Sequence, residues 1–276
     1  MSAPAPGRSH HPAACVIVAS LLVGSGYAAW AAQPLEQRDS AAEALHRPAT
    51  APAQPPAGLL TELESKRHAR FVQQAAAGNI DVVFLGDSVV DFWRYDNSGN
   101  PAWNNHSGGK ADWDQSYVPL KAVNFGVEGA HTRSVLWRLR NGELDGMKPG
   151  VVVLSLLGVA DAANHGIGVS QIIDGNKAIV AEIRTRQPQA KILLVAVPRG
   201  QPANLSREVM KPVTAGLVKL TDNRSIYYLD LNDRFLATDG TLRAPLYVDG
   251  LGQVLSPQGY SAWAQAMNPT LVNLLR

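Results

Sequence analysis

The stretch Ile80-Asp-Val-Val-Phe-Leu-Gly-Asp-Ser88 decides the fold of this chain of 276 residues. A short apolar run with β-branched residues is typical of a buried parallel strand, and Gly86 marks a sharp exit from it. A serine just past such a strand presents its hydroxyl and its backbone N–H at the carboxyl edge of the sheet. In open α/β sheets, ligands bind at that edge. Gly-Asp-Ser also occurs in ordinary turns, so the rest of the chain has to distinguish a site from a turn.

Predicted strands and helices alternate over most of the chain. Further strands are predicted at 121–125, 151–157, 191–197 and 225–229, and helices at 59–77, 131–139, 169–186, 205–220 and 257–267. This alternation predicts an α/β fold, a three-layer α/β/α sandwich around a central five-stranded parallel sheet. Continuous apolar strands fit a sheet that is covered on both faces.

Residues 91–120 interrupt the alternation and are predicted to form a long ordered loop over the active edge. The segment contains the aromatic residues Trp93, Trp103, Trp113 and Tyr117. Packing of these rings into the core is the favoured interpretation. A platform on which a carbohydrate stacks is the alternative.

The N-terminal region is predicted to be an export signal followed by a linker. An apolar stretch at 13–23 is too short to span a bilayer, and Ala29-Trp30-Ala31 fits a cleavage site, so residues 1–31 are predicted to be a cleaved signal peptide. Residues 32–58 are rich in Ala and Pro and predict a disordered linker, followed by one domain at 59–276. The chain is therefore expected to be exported, periplasmic or secreted, with no membrane span in its mature form.

Charge and cysteine content exclude several classes of function. The net charge is only +2 and no long basic run occurs, so nucleic-acid binding has no support. The single cysteine, Cys15, lies within the predicted signal, which leaves the mature chain without disulfides or thiol chemistry. The histidines lack metal-ligand spacing, and we expect no metal and no cofactor.

Several motifs together resemble those of the SGNH/GDSL hydrolases, in the branch of platelet-activating-factor acetylhydrolase and related bacterial acetylesterases. The resemblance runs from about residue 59 to the C-terminus. The segments that carry it are Gly86-Asp-Ser88, Asn124-Phe-Gly-Val-Glu-Gly129, Val135-Leu-Trp-Arg-Leu-Arg-Asn-Gly-Glu-Leu-Asp145, the 151–158 strand with its glycine, Pro198-Arg-Gly200 and Leu255-Ser-Pro-Gln-Gly-Tyr260. It implies the SGNH, flavodoxin-like form of the predicted sandwich and hydrolysis of a small-molecule or carbohydrate ester.

The resemblance also implies roles for particular residues. Ser88 occupies the position of the nucleophile. The backbone N–H groups of Ser88 and Gly129, with an Asn side chain after the third strand, would form an oxyanion hole for the charge that develops on the carbonyl oxygen. Asp249 matches the acid of the triad, which orients the histidine that removes the serine proton.

Two positions depart from the pattern of the resembled family. Where its oxyanion Asn is expected, in the sequence Gly158-Val-Ala-Asp161, this chain has Ala160. Where its histidine directly precedes Leu-Ser-Pro, the chain has Gly252-Gln-Val254, and none of these residues is a base near neutral pH. Ser88 is therefore expected to be a weak nucleophile unless another base replaces the histidine.

His131 and His165 are the candidate surrogate bases, because both are predicted near the active edge. His106, in the aromatic-rich segment, is a weaker candidate. A solvated loop histidine is the favoured interpretation of each.

Three functions compete at this point. The first is an ester hydrolase of the acetyl- or short-acyl-esterase type that uses Ser88, with weak activity. The second is a catalytically inactive relative that binds an acylated carbohydrate or another ligand. The third is a purely structural or interaction domain tethered by the linker. Function depends on the site rather than on the fold, so the fold cannot separate them.

Overall fold

A five-stranded parallel sheet forms the centre of the molecule. The computed structural model describes residues 55–96, 108–199, 205–248, 252 and 254–276. The strands are β1 (Val82–Leu85), β2 (Ala122–Asn124), β3 (Val151–Ser155), β4 (Lys191–Ala196) and β5 (Ile226–Asp230). Their order is β2-β1-β3-β4-β5 and every neighbouring pair is parallel. The predicted α/β fold is confirmed, and this strand order is that of flavodoxin-like sheets.

Helices connect the strands in chain order. They are α1 (Glu62–Ala77), α2 (Ser88–Asp91), α3 (Lys110–Ser116), α4 (Thr132–Arg138), α5 (Val159–His165), α6 (Val169–Arg186), α7 (Lys211–Val218), α8 (Asn232–Phe235) and α9 (Pro257–Leu274). Short 3₁₀ turns lie at Phe92–Arg94 and Ala244–Leu246, and wider turns of the π type lie at Leu139–Glu143 and Leu205–Met210. Within the described ranges, no helix is long and apolar enough to cross a membrane.

Successive residues of a strand pack into two separate cores, one on each face of the sheet. Val83 and Leu85 of β1 point into the core formed with α1, α4, α6 and α7. Val82 and Phe84 point into the core formed with α3, α8 and α9. Side chains alternate across a strand, so a strand covered on both faces must be apolar throughout. All four residues of β1 are fully buried.

The first helix begins and ends at residues suited to those positions. Thr61 and Glu64 form a capping box, in which the Glu64 N–H donates to Thr61 Oγ1 at 3.1 Å and the Thr61 N–H donates to Glu64 Oε2 at 3.0 Å. The box satisfies two N–H groups that the helix itself leaves unpaired. Gly78 ends the helix, as predicted. The chain then turns directly into β1.

The predicted loop at 91–120 was wrong in part. Residues 110–116 are helical, and Trp113 and Tyr117, four residues apart, contact Phe84 of β1 at centroid distances of 5.0 and 4.9 Å. Trp93 and Tyr117 are fully buried. The packing interpretation is confirmed for Trp93 and Tyr117, whereas Trp113 packs on Phe84 but stays half-buried. Trp103 and His106 lie outside the described residues.

Two other helices differ from the prediction. Residues 159–165, predicted as a loop that contains His165, form helix α5. The last helix was predicted to end at Met267 but continues to Leu274 through Pro269. Apolar residues beyond the proline, among them Leu271 and Leu274, are buried against the sheet, which offsets the hydrogen bond that Pro269 cannot make.

Candidate active site

Ser88 lies where the sequence predicts, at the carboxyl edge of the sheet. It is the first residue of α2, three residues after β1 ends, and it is half-buried. Asp87 caps this short helix by accepting a hydrogen bond from the Val89 N–H at 3.2 Å. Within the described part of the chain, neither the hydroxyl nor the backbone N–H of Ser88 makes a hydrogen bond. Both groups are thus available to a ligand.

The turn before Ser88 is fixed from the β4 side of the sheet. Arg199 Nη2 donates to Asp87 Oδ1 at 2.6 Å, and both side chains are largely buried. The neighbouring carbonyl of Pro198 accepts a hydrogen bond from the Tyr247 hydroxyl at 2.6 Å. Asp87 is therefore engaged as a support of the turn.

The loop that follows β2 is bonded directly to the nucleophile turn. The Val127 N–H donates to the Gly86 carbonyl at 3.2 Å. A side chain at Gly126 would place its Cβ 2.5 Å from the Asp91 nitrogen, so this close approach requires glycine. Gly129 has a φ of +80° and an N–H without a partner in the described part of the chain. Two unpaired N–H groups, those of Ser88 and Gly129, therefore lie on loops that are hydrogen-bonded to each other.

Sequence reasoning missed a buried polar network beneath these two loops. The Asp91 carboxylate accepts from Arg67, from Arg94 Nε at 2.6 Å and from the Glu128 N–H at 2.8 Å. Arg94 also donates through Nη2 to the Gly126 carbonyl at 2.8 Å and to Asn124 Oδ1 at 3.1 Å. The signal in the sequence is Asp91 and Arg94, polar residues in an apolar segment.

His131 and His165 lie together, with ring centroids 4.2 Å apart. His131 precedes α4, is almost fully buried, and its Nε2 lies 3.3 Å from the Leu59 carbonyl. Burial, reinforced by the positive charges of His165 and Arg133, holds the pKa of His131 well below its usual range. Burial, with Arg133, also lowers the pKa of His165. The described contacts join neither ring to Ser88, and their role as surrogate bases stays a prediction.

Asp161 has a structural partner away from Ser88. Its carboxylate is fully buried and accepts from the Thr132 N–H at 3.0 and 3.2 Å and from the Thr132 hydroxyl at 2.5 Å. It therefore caps the N-terminus of α4 from α5. Burial raises the pKa of Asp161, against the lowering effect of the Thr132 hydrogen bonds. Its neighbour Ala160, at the position of the expected Asn, is buried and carries no donor on its side chain.

The C-terminal part of the predicted triad is only partly described. Asp249, the predicted acid, lies outside the described residues. Val254, which directly precedes Leu255-Ser-Pro257, is 5% exposed and packs in the core beneath α9. Its carbonyl accepts from the Val248 N–H at 3.0 Å, and Tyr247 pairs with Leu255 in an antiparallel bridge. An apolar side chain is therefore buried at the position where the resemblance implies a base.

Comparisons of the sequence agree with the resemblance. The model of the GDSL-like Lipase/Acylhydrolase family matches residues 84–262. The human platelet-activating factor acetylhydrolase IB subunit alpha1 is 35% identical over 211 residues, which cover 75% of this chain and 82% of the relative. The rat alpha2 subunit is 33% identical over 211 residues, with 76% and 83% covered.

Solved structures agree in fold. A GDSL-like lipase from Bacteroides thetaiotaomicron superposes with a TM-score of 0.56 at 14% identity, over 75% of this chain and 97% of that chain. An acetyl-xylooligosaccharide esterase from Geobacillus Stearmophilus gives 0.51 at 16%, over 72% and 94%. These likenesses concern the fold alone, whereas the family model and the 35% identical relative settle the family. The chain belongs to the GDSL-like lipase/acylhydrolase family of ester hydrolases.

Proposed function

We propose that this chain hydrolyses acetyl or other short acyl esters slowly, with Ser88 as the nucleophile. The observation that carries the proposal is the pair of backbone N–H groups of Ser88 and Gly129, which have no hydrogen-bond partner among the described residues and lie on two loops that are hydrogen-bonded to each other at the carboxyl edge of the sheet. Backbone N–H groups fixed in this way stabilise the oxyanion of an acyl-transfer reaction. The acetyl class is supported by the name of the relatives, platelet-activating factor acetylhydrolase.

The proposed reaction has two steps. Ser88 Oγ forms a bond to the carbonyl carbon of the ester while the two N–H groups stabilise the developing negative charge. The bond between carbon and the alcohol oxygen then breaks, and the proton lost by Ser88 passes through solvent to the leaving alcohol. Water hydrolyses the acyl-serine in the second step, which releases the acid and restores the serine.

The low rate follows from the residues at the histidine and asparagine positions. Loss of one oxyanion donor costs about 10²–10³ in rate. Loss of the general base costs on the order of 10⁶ in a serine triad and leaves about 10³–10⁴ over water. With Val254 at the histidine position and Ala160 at the asparagine position, we expect activity near that residual level.

A second candidate function is binding of an acylated carbohydrate without cleavage. Two observations favour it: the burial of Val254, and a groove of about 480 Å³ beside the edge strand β2. Tyr95 and Trp113 line the groove together with Arg70 and Gln74. Aromatic faces beside polar side chains suit a sugar ring, which has apolar faces and hydroxyl edges.

Hydrolysis of p-nitrophenyl acetate by the purified chain separates the two candidates. We expect slow turnover in the wild type that Ser88→Ala abolishes, whereas Ser65→Ala, an exposed serine on α1, retains the wild-type rate. Equal rates in wild type and Ser88→Ala would reject the hydrolase and leave the binding function. Binding would then be measured calorimetrically with acetylated xylo-oligosaccharides as the probe.

We propose in addition that the chain is exported, with a signal at 1–31, a linker at 32–58 and the hydrolase domain at 59–276. The apolar stretch and the Ala29-Trp30-Ala31 pattern in the sequence support this. N-terminal sequencing of the protein recovered from a bacterial envelope or culture medium should begin at Ala32. An intact Met1 would contradict cleavage.

A further inference from the structure

The Asp91 carboxylate accepts three hydrogen bonds within the described part of the molecule. It is fully buried, and its Oδ1 accepts from Arg94 Nε at 2.6 Å. Its Oδ2 accepts from Arg67 Nη1 and from the Glu128 N–H, the latter at 2.8 Å. A buried charge is tolerated only when it is paired and hydrogen-bonded, and here both oxygens are satisfied.

Each of the three donors belongs to a different part of the fold. Arg94 lies in the 3₁₀ turn directly after α2, Arg67 lies on α1, and Glu128 lies on the loop after β2. Asp91 itself is the last residue of the helix that Ser88 begins. One carboxylate therefore joins the nucleophile helix to the loop that carries Gly129. Arg94 adds a second connection to the same loop through the Gly126 carbonyl at 2.8 Å.

The bond to Glu128 has a direct consequence for Gly129. The Glu128 N–H is held by Asp91, and the next N–H along the chain belongs to Gly129. No atom of the described residues would lie within 4 Å of a Cβ added at Gly129, and its φ of +80° is a conformation that few other residues adopt. Asp91 therefore fixes the residue that directly precedes the Gly129 N–H, in addition to the bonds that hold Gly126 and Val127.

We infer that Asp91, with Arg67 as its partner, is a positioning residue that sets the Gly129 N–H against Ser88. The role of that N–H in stabilising an oxyanion rests on the proposed function. Arg67 lies on α1, outside residues 84–262 that the family model matches. The inference therefore adds α1 to the elements that support the active site. A misplacement of about 1 Å at a reacting centre can cost on the order of 10² in rate.

The first experiment compares Asp91→Asn, Arg67→Met and Arg67→Lys with wild type, and uses Asp174→Asn, an exposed carboxylate on α6, as the control. In Asp91→Asn, the side-chain amide directs an N–H group toward one of the three donors. Arg67→Met removes one of these donors together with its positive charge. We expect the rate constant for labelling of Ser88 by a fluorophosphonate to fall about 10–100-fold in both. Arg67→Lys keeps the charge and should recover most of the rate.

Turnover of p-nitrophenyl acetate gives kcat and KM separately. A purely structural role of Asp91 would not produce the change in kcat alone that a positioning role predicts. A misdirected oxyanion donor should lower kcat and leave KM within about twofold, because the donor acts mainly in the transition state. A rise in KM at constant kcat, in a protein with wild-type secondary structure, would overturn the inference.

Hydrogen exchange of backbone amides tests the inference even in a protein without catalytic activity. The Glu128 amide, which donates to Asp91, should exchange faster in Asp91→Asn and Arg67→Met than in wild type, Arg67→Lys or Asp174→Asn, while β1 and β3 stay protected. Unchanged exchange of the Glu128 amide would overturn the positioning role. If the wild-type Ser88 fails to react with the fluorophosphonate, the proposed function fails, and the exchange result still decides the role of Asp91.

Discussion

Gly126 packs its backbone against the nucleophile helix so closely that a side chain does not fit. An added Cβ would lie 2.5 Å from the Asp91 nitrogen and 2.7 Å from the Val90 side chain. We therefore expect Gly126→Ala to lower the free energy of unfolding by about 1–3 kcal/mol, measured by urea denaturation.

Gly168→Ala is the matched control for Gly126→Ala. Its Cβ would have its nearest neighbour, Gln171 Oε1, at 4.0 Å. We expect it to cost less than about 1 kcal/mol, since it adds no contact and changes only an N-cap residue. Equal costs at the two positions would contradict the close approach between the two loops.

His131 makes the stability of the chain depend on pH. Its pKa is depressed by burial, with further contributions from His165 and Arg133, so the native state keeps the ring neutral while the unfolded state binds a proton below about pH 6.5. The free energy of unfolding should therefore decrease as the pH falls below 6.5, by at most about 1.4 kcal/mol per pH unit from this ring. Above that pH the effect vanishes.

Urea denaturation of wild type and His131→Gln at pH 7.5 and 5.5 measures this effect. Glutamine cannot titrate, so the variant should lose less stability between the two pH values than the wild type does. His165→Gln should fall between them, because His165 also has a lowered pKa and removal of its charge relieves His131. An equal loss in wild type and His131→Gln would contradict a neutral buried ring.

Individual site residues differ in how far the sequence predicts them. The places of Ser88 and Gly129 after β1 and β2 could be predicted because their motifs are short and local, whereas their roles stay predictions. Arg67 and Asp91 could not, because they lie 24 residues apart and their pairing depends on how α1 packs beside α2. The contact between Asp161 and Thr132 could not be predicted either, because 29 residues separate them and the fold brings them together.

At the scale of elements, the contact between Asp161 and Thr132 holds α5 against the start of α4. The buried carboxylate accepts from both the N–H and the hydroxyl of Thr132. Asp161→Ala leaves these buried donors without a partner and should cost about 1–3 kcal/mol of unfolding free energy. Thr132→Val removes only the hydroxyl, so its cost should be smaller.

A double-mutant cycle tests this contact directly. Residues in one hydrogen-bond network couple by about 0.5–3 kcal/mol, so the double variant should cost less than the sum of the single variants. Asp174→Ala combined with Thr132→Val is the control, because Asp174 is exposed and pairs only with Lys177 among the described residues. Additive costs for Asp161 and Thr132 would reject the cap.

The sequence predicts some elements well and others poorly for physical reasons. Helix α6 was predicted at its observed bounds, because apolar residues recur at helical spacing along its length. Helix α3 was missed, because seven residues rich in Asp, Lys and Gln have little helical pattern on their own. It is stabilised by packing of Trp113 against Phe84, a contact that only the fold creates.

At the scale of the whole molecule, we expect the scaffold of a serine hydrolase to be intact. Its active site is expected to lack only the general base and one donor of the oxyanion hole. Replacement of Gly252-Gln-Val254 by one histidine, together with Ala160→Asn, should therefore raise kcat/KM for p-nitrophenyl acetate. The increase should reach several orders of magnitude, since a base alone is worth on the order of 10⁶. Either change alone should give less.

Addition of Ser88→Ala to this combined variant is the control for the gain, which must disappear without the nucleophile. An absence of any gain, in a protein with wild-type circular dichroism, would mean that the site has diverged beyond these two positions.

The function proposed for the whole molecule requires that Ser88 remains a nucleophile beside a formed oxyanion hole. Peptide mass spectrometry of the wild-type chain after incubation with a fluorophosphonate examines this requirement without depending on turnover, with Ser88→Ala and Ser65→Ala in parallel. We expect one adduct, on Ser88, which is absent from Ser88→Ala and unchanged in Ser65→Ala. No adduct on Ser88, or equal labelling of other serines, would show that Ser88 is not an activated nucleophile.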